Sequence, residues 1–151
     1  MALHPVHPWL CLDDAPVYLL TYPSYEESDP LAAARYQAEQ QALYTLLAGW
    51  SAQRVDAYSF VIDLSHVRST AMNRQRAIQY LERMRQRGNP NLVCRAFVTP
   101  NEAIRGVMTA VFWQAPPDYP HQFFERVADA KRWAREQTLK VDLHKRRRLL
   151  A

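Results

Sequence analysis

Glycine is scarce in this chain: Gly49, Gly88 and Gly106 are the only three in 151 residues, and each is isolated. A Gly-rich loop that cradles phosphate needs several glycines in a short span, so that class of nucleotide site is excluded. Cysteine is scarcer still. Cys11 and Cys94 lie in separate apolar segments with no paired spacing, which points to buried thiols in a reducing, cytoplasmic compartment rather than a disulfide framework or a zinc site. No apolar run approaches the roughly 18 to 20 residues needed to span a bilayer. The amino terminus, Met-Ala-Leu-His-Pro-Val-His-Pro, lacks the cationic start and continuous apolar stretch of a secretory leader. His4 and His7 stand three apart among prolines, in what reads as a loose end, with no Cys, Asp or Glu spaced to complete a metal site. Neither a metal nor an organic cofactor is expected. Internal repeats and low-complexity segments are absent.

What is present fits one soluble domain. Apolar residues make up 48%, charged residues 23% and aromatics 11% of a length that suits a single core. Ten prolines against three glycines imply short, stiff connections. The net charge of +4 is concentrated at the carboxyl end, where Lys131, Arg132, Arg135, Lys140 and Lys145 to Arg148 face only Asp129, Glu136 and Asp142. The remainder of the chain is close to neutral. Such a basic tail reads first as a solvated appendage, next as a nonspecific contact for a polyanion or a membrane surface, and last as a sequence-specific nucleic-acid reader.

Along the chain, short apolar runs alternate with amphipathic segments. Trp9 to Leu12 and Val17 to Tyr22 flank Asp13-Asp14-Ala15-Pro16, a break that suits an edge hairpin. Asp29-Pro30 is a helix start, and the helix to about Gly49 would bury Leu31, Ala34, Ala38, Ala42, Leu46 and Trp50. Residues 58–64 are apolar apart from Ser59 and Asp63, as in a strand buried on both faces. A helix over about 70–87 turns Ile78, Leu81 and Met84 inward and stops at Gly88-Asn89-Pro90. Strand Leu92–Thr99 follows, then a helix over about 101–113 with Ile104, Val107, Met108, Val111 and Phe112 on one stripe. A strand from Gln122 to Glu125 and a helix carrying Val127, Ala130, Trp133 and Ala134 close the pattern. The alternation demands crossover connections. The fold class is therefore α/β: a mostly parallel sheet of four to five strands with an amino-terminal edge hairpin, covered by about four helices. Residues 1–139 read as one domain and 140–151 as its basic tail.

In such a sheet, polar residues gather where strands end and helices begin. Asp63, Ser65, Arg68, Ser69, Thr70 and Arg74 follow one strand, and Thr99, Asn101 and Arg105 follow the next. Ser69 or Thr70 reads first as a helix cap. Asp63 suits a helix amino end, and the arginines have the planar forks that match phosphate or carboxylate. Asp63, Ser65 and His66 are too close along an extended segment to act as orienter, nucleophile and base. No catalytic residue is assigned.

The strand end Val61-Ile62-Asp63-Leu64-Ser65-x-Val67, the run Phe97-Val98-Thr99 and the closing Phe123-Phe124-Glu125-Arg126-Val127-x-x-Ala130-x-x-Trp133-Ala134 resemble a STAS domain (sulphate transporter and anti-sigma-factor antagonist). More narrowly they are similar to its SpoIIAA-like branch, over about residues 9 to 139. That branch shares its broad architecture with lipid-carrying SEC14-type domains. The resemblance implies a bacterial, non-enzymatic protein that switches a partner, often by phosphorylation at the start of the helix after the Asp-x-Ser strand. Here Ala71-Met72-Asn73-Arg74 occupies the stretch where regulatory members carry Asp-Ser-x-Gly, so Met72 stands at the phosphoacceptor position.

The expected function is a cytoplasmic regulatory or scaffolding module. It would bind a protein partner through the carboxyl edge of the sheet and the amino end of the helix at about 70–87, and a homo-oligomer is a further expectation with no surface assigned to it. The alternative is a carrier or sensor of a small apolar or anionic ligand, for which Trp50, Phe112, Trp113 and Tyr119 are candidate cavity aromatics.

Overall fold

A computed structural model of the chain describes residues 7–68 and 70–151. Five strands form one sheet in sequence order: β1 (Leu10–Cys11), β2 (Val17–Thr21), β3 (Tyr58–Asp63), β4 (Leu92–Val98) and β5 (His121–Phe124). β1 is antiparallel to β2, and β2 through β5 are parallel. The expected edge hairpin and mostly parallel sheet are both present.

The helices are α1 (Pro30–Gln53), α2 (Ala71–Arg87), α3 (Glu102–Gln114) and α4 (Val127–Leu150). Because each crossover moves to the next strand in the same direction, right-handedness places α1, α2 and α3 on one face. There Tyr36, Leu43, Leu47, Leu81, Ile104, Val111 and Phe112 cover Tyr18, Leu20, Phe60, Ile62 and Phe97. α4 covers the other face, with Ala130 and Ala134 on Val17, Val61, Cys94, Ala96 and Val98. On that side Cys94 Sγ donates to Ser59 Oγ at 3.2 Å, Ser59 pairs with Thr138 Oγ1 at 2.7 Å, and Thr138 donates to Ala134 O at 2.7 Å. The chain of donors ends on a carbonyl and is satisfied. Burial, partly offset by the Ser59 contact, raises the Cys94 thiol pKa, so it is an inert core residue.

Local signals start and stop these helices. Asp29 Oδ1 accepts from Leu31 N at 3.0 Å and caps α1. Gly88, at φ +73°, ends α2 with its N–H on Met84 O, a conformation with little steric cost only for glycine.

Three details depart from the sequence reading. α1 runs to Gln53 and buries Tyr36, Leu43, Leu47 and Trp50, whereas Leu31, Ala34, Ala38 and Ala42 are exposed. Large rings and leucines remove more apolar area from water than alanines do, so they set the inward face. His7 is buried, not in a loose end: Trp9 N donates to its Nδ1 at 3.1 Å, so Nε2 carries the proton it donates to Glu39 O at 2.8 Å. His4 lies outside the described residues. Finally, α4 continues through the expected tail to Leu150. That stretch has no Gly or Pro and is rich in Leu, Lys and Arg, good helix formers.

Candidate functional site

The charged residue most deeply buried is one the edge-based reading passed over. Arg95 stands in the middle of β4 and is only 2% exposed. Its direction comes from a register shift. Tyr58 pairs with Leu92 but Phe60 pairs with Arg95, so two steps along β3 match three along β4. The extra residue puts both Val93 and Cys94 on the α4 face. Arg95 is thereby re-aimed to the three-helix face, as bulges do beside functional sites. Without the shift, strict alternation would have pointed it at α4.

On the three-helix side the guanidinium lies among rings. Its carbon is 5.1 Å from the Tyr119 ring centre, 5.6 Å from Phe60 and 5.7 Å from Tyr80. Nη2 approaches Met84 Sδ at 2.9 Å and Tyr80 OH at 3.5 Å. Arg95 Nε and the Tyr119 hydroxyl are buried without a hydrogen-bond partner in the protein. Among the described residues no carboxylate pairs with Arg95.

Two cavities of about 110 Å³ each meet at this side chain. The first lies under α1, α2 and α3, walled by Tyr22, Tyr36, Ile62, Leu64, Leu81, Phe97, Ile104, Val107, Met108 and Val111. The second is lined by Leu47, Trp50, Tyr58, Phe60, Met84, Arg83 and Arg87. Each has room for on the order of eight water-sized positions. Tyr44 of α1 and Tyr80 of α2 stack at 4.2 Å and 14° and border both chambers. The same two rings floor an open groove of about 500 Å³ between α1 and α2.

The electrostatics are one-sided. Burial pushes the Tyr36 phenol up to about 12 and lifts Tyr22, Tyr44, Tyr58 and Tyr119 above their ordinary value. At neutral pH these groups are O–H dipoles, not counter-charges. Burial opposes the Arg95 charge, while Tyr80 and Tyr119 favour it where they ionise, and the net direction is upward; at neutral pH the guanidinium's own high basicity keeps the proton in place. Arg95 therefore stays cationic. An uncompensated buried cation costs several kcal/mol, and each ring over the guanidinium returns only about 0.5–2 kcal/mol. An anion placed beside Arg95 would offset that cost, with the Tyr22, Tyr36 and Tyr44 phenols bordering the same space and apolar walls around it.

The residues expected at the sheet edge have mixed fates. Asp63 Oδ1 accepts from both the backbone N and the hydroxyl of Ser65, closing a local turn, and Ser65 and His66 are exposed. Thr70 caps α2, its Oγ1 accepting from Asn73 N at 3.1 Å. Ser69 lies outside the described residues. Asn101 caps α3, with Oδ1 on Ala103 N at 2.8 Å. Thr99 is fully buried, its hydroxyl unpartnered in the protein, while its carbonyl accepts from Arg105 Nη2 at 3.3 Å. Arg68 and Arg74 are exposed and also line the first cavity. Those two join the Arg95 site; Thr99, Asn101 and Arg105 form a separate local cluster. Of the candidate aromatics, Trp50 and Tyr119 meet the cavities or Arg95, Phe112 is core, and Trp113 faces solvent.

Arg95 did leave a signal in the sequence. It is the lone charge in Leu92-Val93-Cys94-Arg95-Ala96-Phe97-Val98, a strand too apolar to lie at a surface. No known family, curated protein or solved structure matches the chain. The site must therefore be read from its own chemistry.

Proposed function

We propose that this protein is a carrier or sensor of a small amphipathic anion, whose carboxylate or phosphate group sits against Arg95 while its apolar part occupies the chamber under α3. The observation that carries this reading is a guanidinium 2% exposed, with no carboxylate partner among the described residues, at the junction of two cavities. A ligand anion offsets the desolvation of Arg95 in a way the protein's own phenols do not. The first chamber supplies Phe97, Val107, Met108 and Val111 for an alkyl or aryl group, consistent with sites that are mostly apolar with a few placed polar groups.

The partner-binding reading of the sheet edge is kept as a second proposal, in line with the STAS resemblance. Its support is that Arg68 and Arg74 are exposed at that edge and line the cavity. A bound ligand would thus touch residues a partner could contact, which is what a sensor requires.

Calorimetric titration with octanoate and with phenyl phosphate tests the first reading, comparing the natural protein with Arg95→Met. The substitution keeps an unbranched apolar side chain and removes the charge. Saturable binding of either anion, weakened at least thirtyfold by Arg95→Met, is expected, because losing one side of a buried charged contact costs about 2–5 kcal/mol. Equal affinity in the two folded proteins overturns it.

A further inference from the structure

We infer that the end of the molecule where the parallel strands begin docks on an anionic phospholipid bilayer, with the overhanging part of α4 lying among the headgroups. α4 has 24 residues, about 36 Å, against about 23 Å for the 7 residues of β4. Thr138 is its last buried side chain. Beyond it the helix runs past the sheet, tied to another element by an exposed contact from Lys145 Nζ to Asn91 Oδ1 at 3.4 Å, beside the start of β4.

The overhang is amphipathic in an unusual direction. Leu139, Leu143 and Leu150 fall within roughly 40° of one another on the helix, about opposite the side that carries Ala130, Ala134 and Thr138 onto the sheet. They are 52%, 57% and 89% exposed. This stripe therefore faces away from the protein's own core. Arg146 and Arg147 flank it, and Lys140, Lys145 and Arg148 add to the charge against the single carboxylate of Asp142. Other exposed apolar groups share this end: Trp113 in the last turn of α3, and Val55 between α1 and β3. Of the large apolar side chains exposed among the described residues, only Leu31, at the start of α1, lies at the opposite end.

The charge selects the occupant. A second copy would bring one cationic overhang against another. A nucleic acid would use the cations and leave the leucines and Trp113 in water. A bilayer bearing anionic lipid satisfies both halves, since leucines and tryptophan bury at the headgroup boundary while Lys and Arg meet the negative surface.

The test is sedimentation of the full chain with vesicles of phosphatidylcholine containing about one-third phosphatidylglycerol, against vesicles of phosphatidylcholine alone. Binding to the anionic vesicles only, weakened at high salt, is expected. Leu143→Gln with Leu150→Gln, and separately Arg146→Gln with Arg147→Gln, should each lower partitioning about tenfold or more. Leu31→Gln, at the far end, and Arg95→Met, in the cavity, should leave it unchanged, which separates this surface from the ligand site. Circular dichroism verifies the fold of each variant. Failure to sediment with anionic vesicles, or full binding by both double variants, overturns the inference. So does a dimer in light scattering that the leucine variant dissolves, or duplex DNA binding with no vesicle binding.

Discussion

Arg95 has two readings at the residue scale, and stability separates them. If its charge waits for a ligand, Arg95→Met relieves an uncompensated buried cation, and ligand-free protein should melt several degrees higher, in line with about 1–4 kcal/mol gained when buried charges give way to apolar side chains. If Arg95 instead braces the fold through Met84 and Tyr80, the variant melts lower. Thermal denaturation without added ligand decides. A pH titration probes the phenols around it. Tyr36 holds its proton to about pH 12 in the fold, through burial first and then Tyr25, whereas an unfolded tyrosine ionises near 10. The unfolded state therefore binds fewer protons than the folded state above pH 10, and stability falls as pH rises from about 10 to 12. The shift corresponds to roughly 2–3 kcal/mol. Urea unfolding at pH 9 and pH 11.5 should show a loss to which Tyr22, Tyr44, Tyr58 and Tyr119 also contribute, and Tyr36→Phe should remove Tyr36's share of about 2 kcal/mol.

Elements were legible where a local signal and a clear period agreed. Asp29-Pro30, Ser69-Thr70 ahead of the Arg-rich helix, and Gly88-Asn89-Pro90 marked ends, and the structure puts the α2 cap on Thr70. Gly88 is where this can be checked most simply. Its φ of +73° forces a side chain into the left-handed region, so Gly88→Ala should cost about 1–2 kcal/mol, read as a lower urea midpoint with unchanged slope. The inward face of α1 was misread in its first part, where Leu31, Ala34, Ala38 and Ala42 looked like a stripe while the larger Tyr36, Leu43 and Leu47 turn inward; Trp50 is buried as expected. The bulge in β4 left no composition signal at all. It exists because β3 and β4 pair with unequal residue counts, and only that pairing turns Arg95 to the cavity.

At the scale of the whole molecule, a singly wound sheet explains where the site lies. A crevice at the carboxyl edge forms where strand order reverses, and here the order runs from β1 to β5 without reversal. The working space opens instead on the sheet's face, between it and α1, α2 and α3. The other face is closed by α4 through residues with almost no side chain, Ala130 and Ala134, each 0% exposed. Ala134→Leu should overpack that contact by about 1–3 kcal/mol, lowering the melting temperature while leaving octanoate and phenyl phosphate binding on the opposite face intact. Loss of ligand binding in a folded Ala134→Leu protein would show that the two faces are coupled through the sheet.

The sequence by itself determined the α/β class, the edge hairpin, the order of strands and helices, the helix ends at Asp29 and Gly88, and a cap at Ser69 or Thr70, whereas the Asn101 cap came from the structure. Each rests on residues within a few positions of one another, where propensity, period and capping act. Only the tertiary structure decided that Arg95 is buried with no carboxylate partner among the described residues, that Tyr44 and Tyr80 meet across two helices, and that the leucines of α4 overhang the sheet. These depend on pairing between segments tens of residues apart, and on the unequal lengths of helix and strand, which no local pattern encodes.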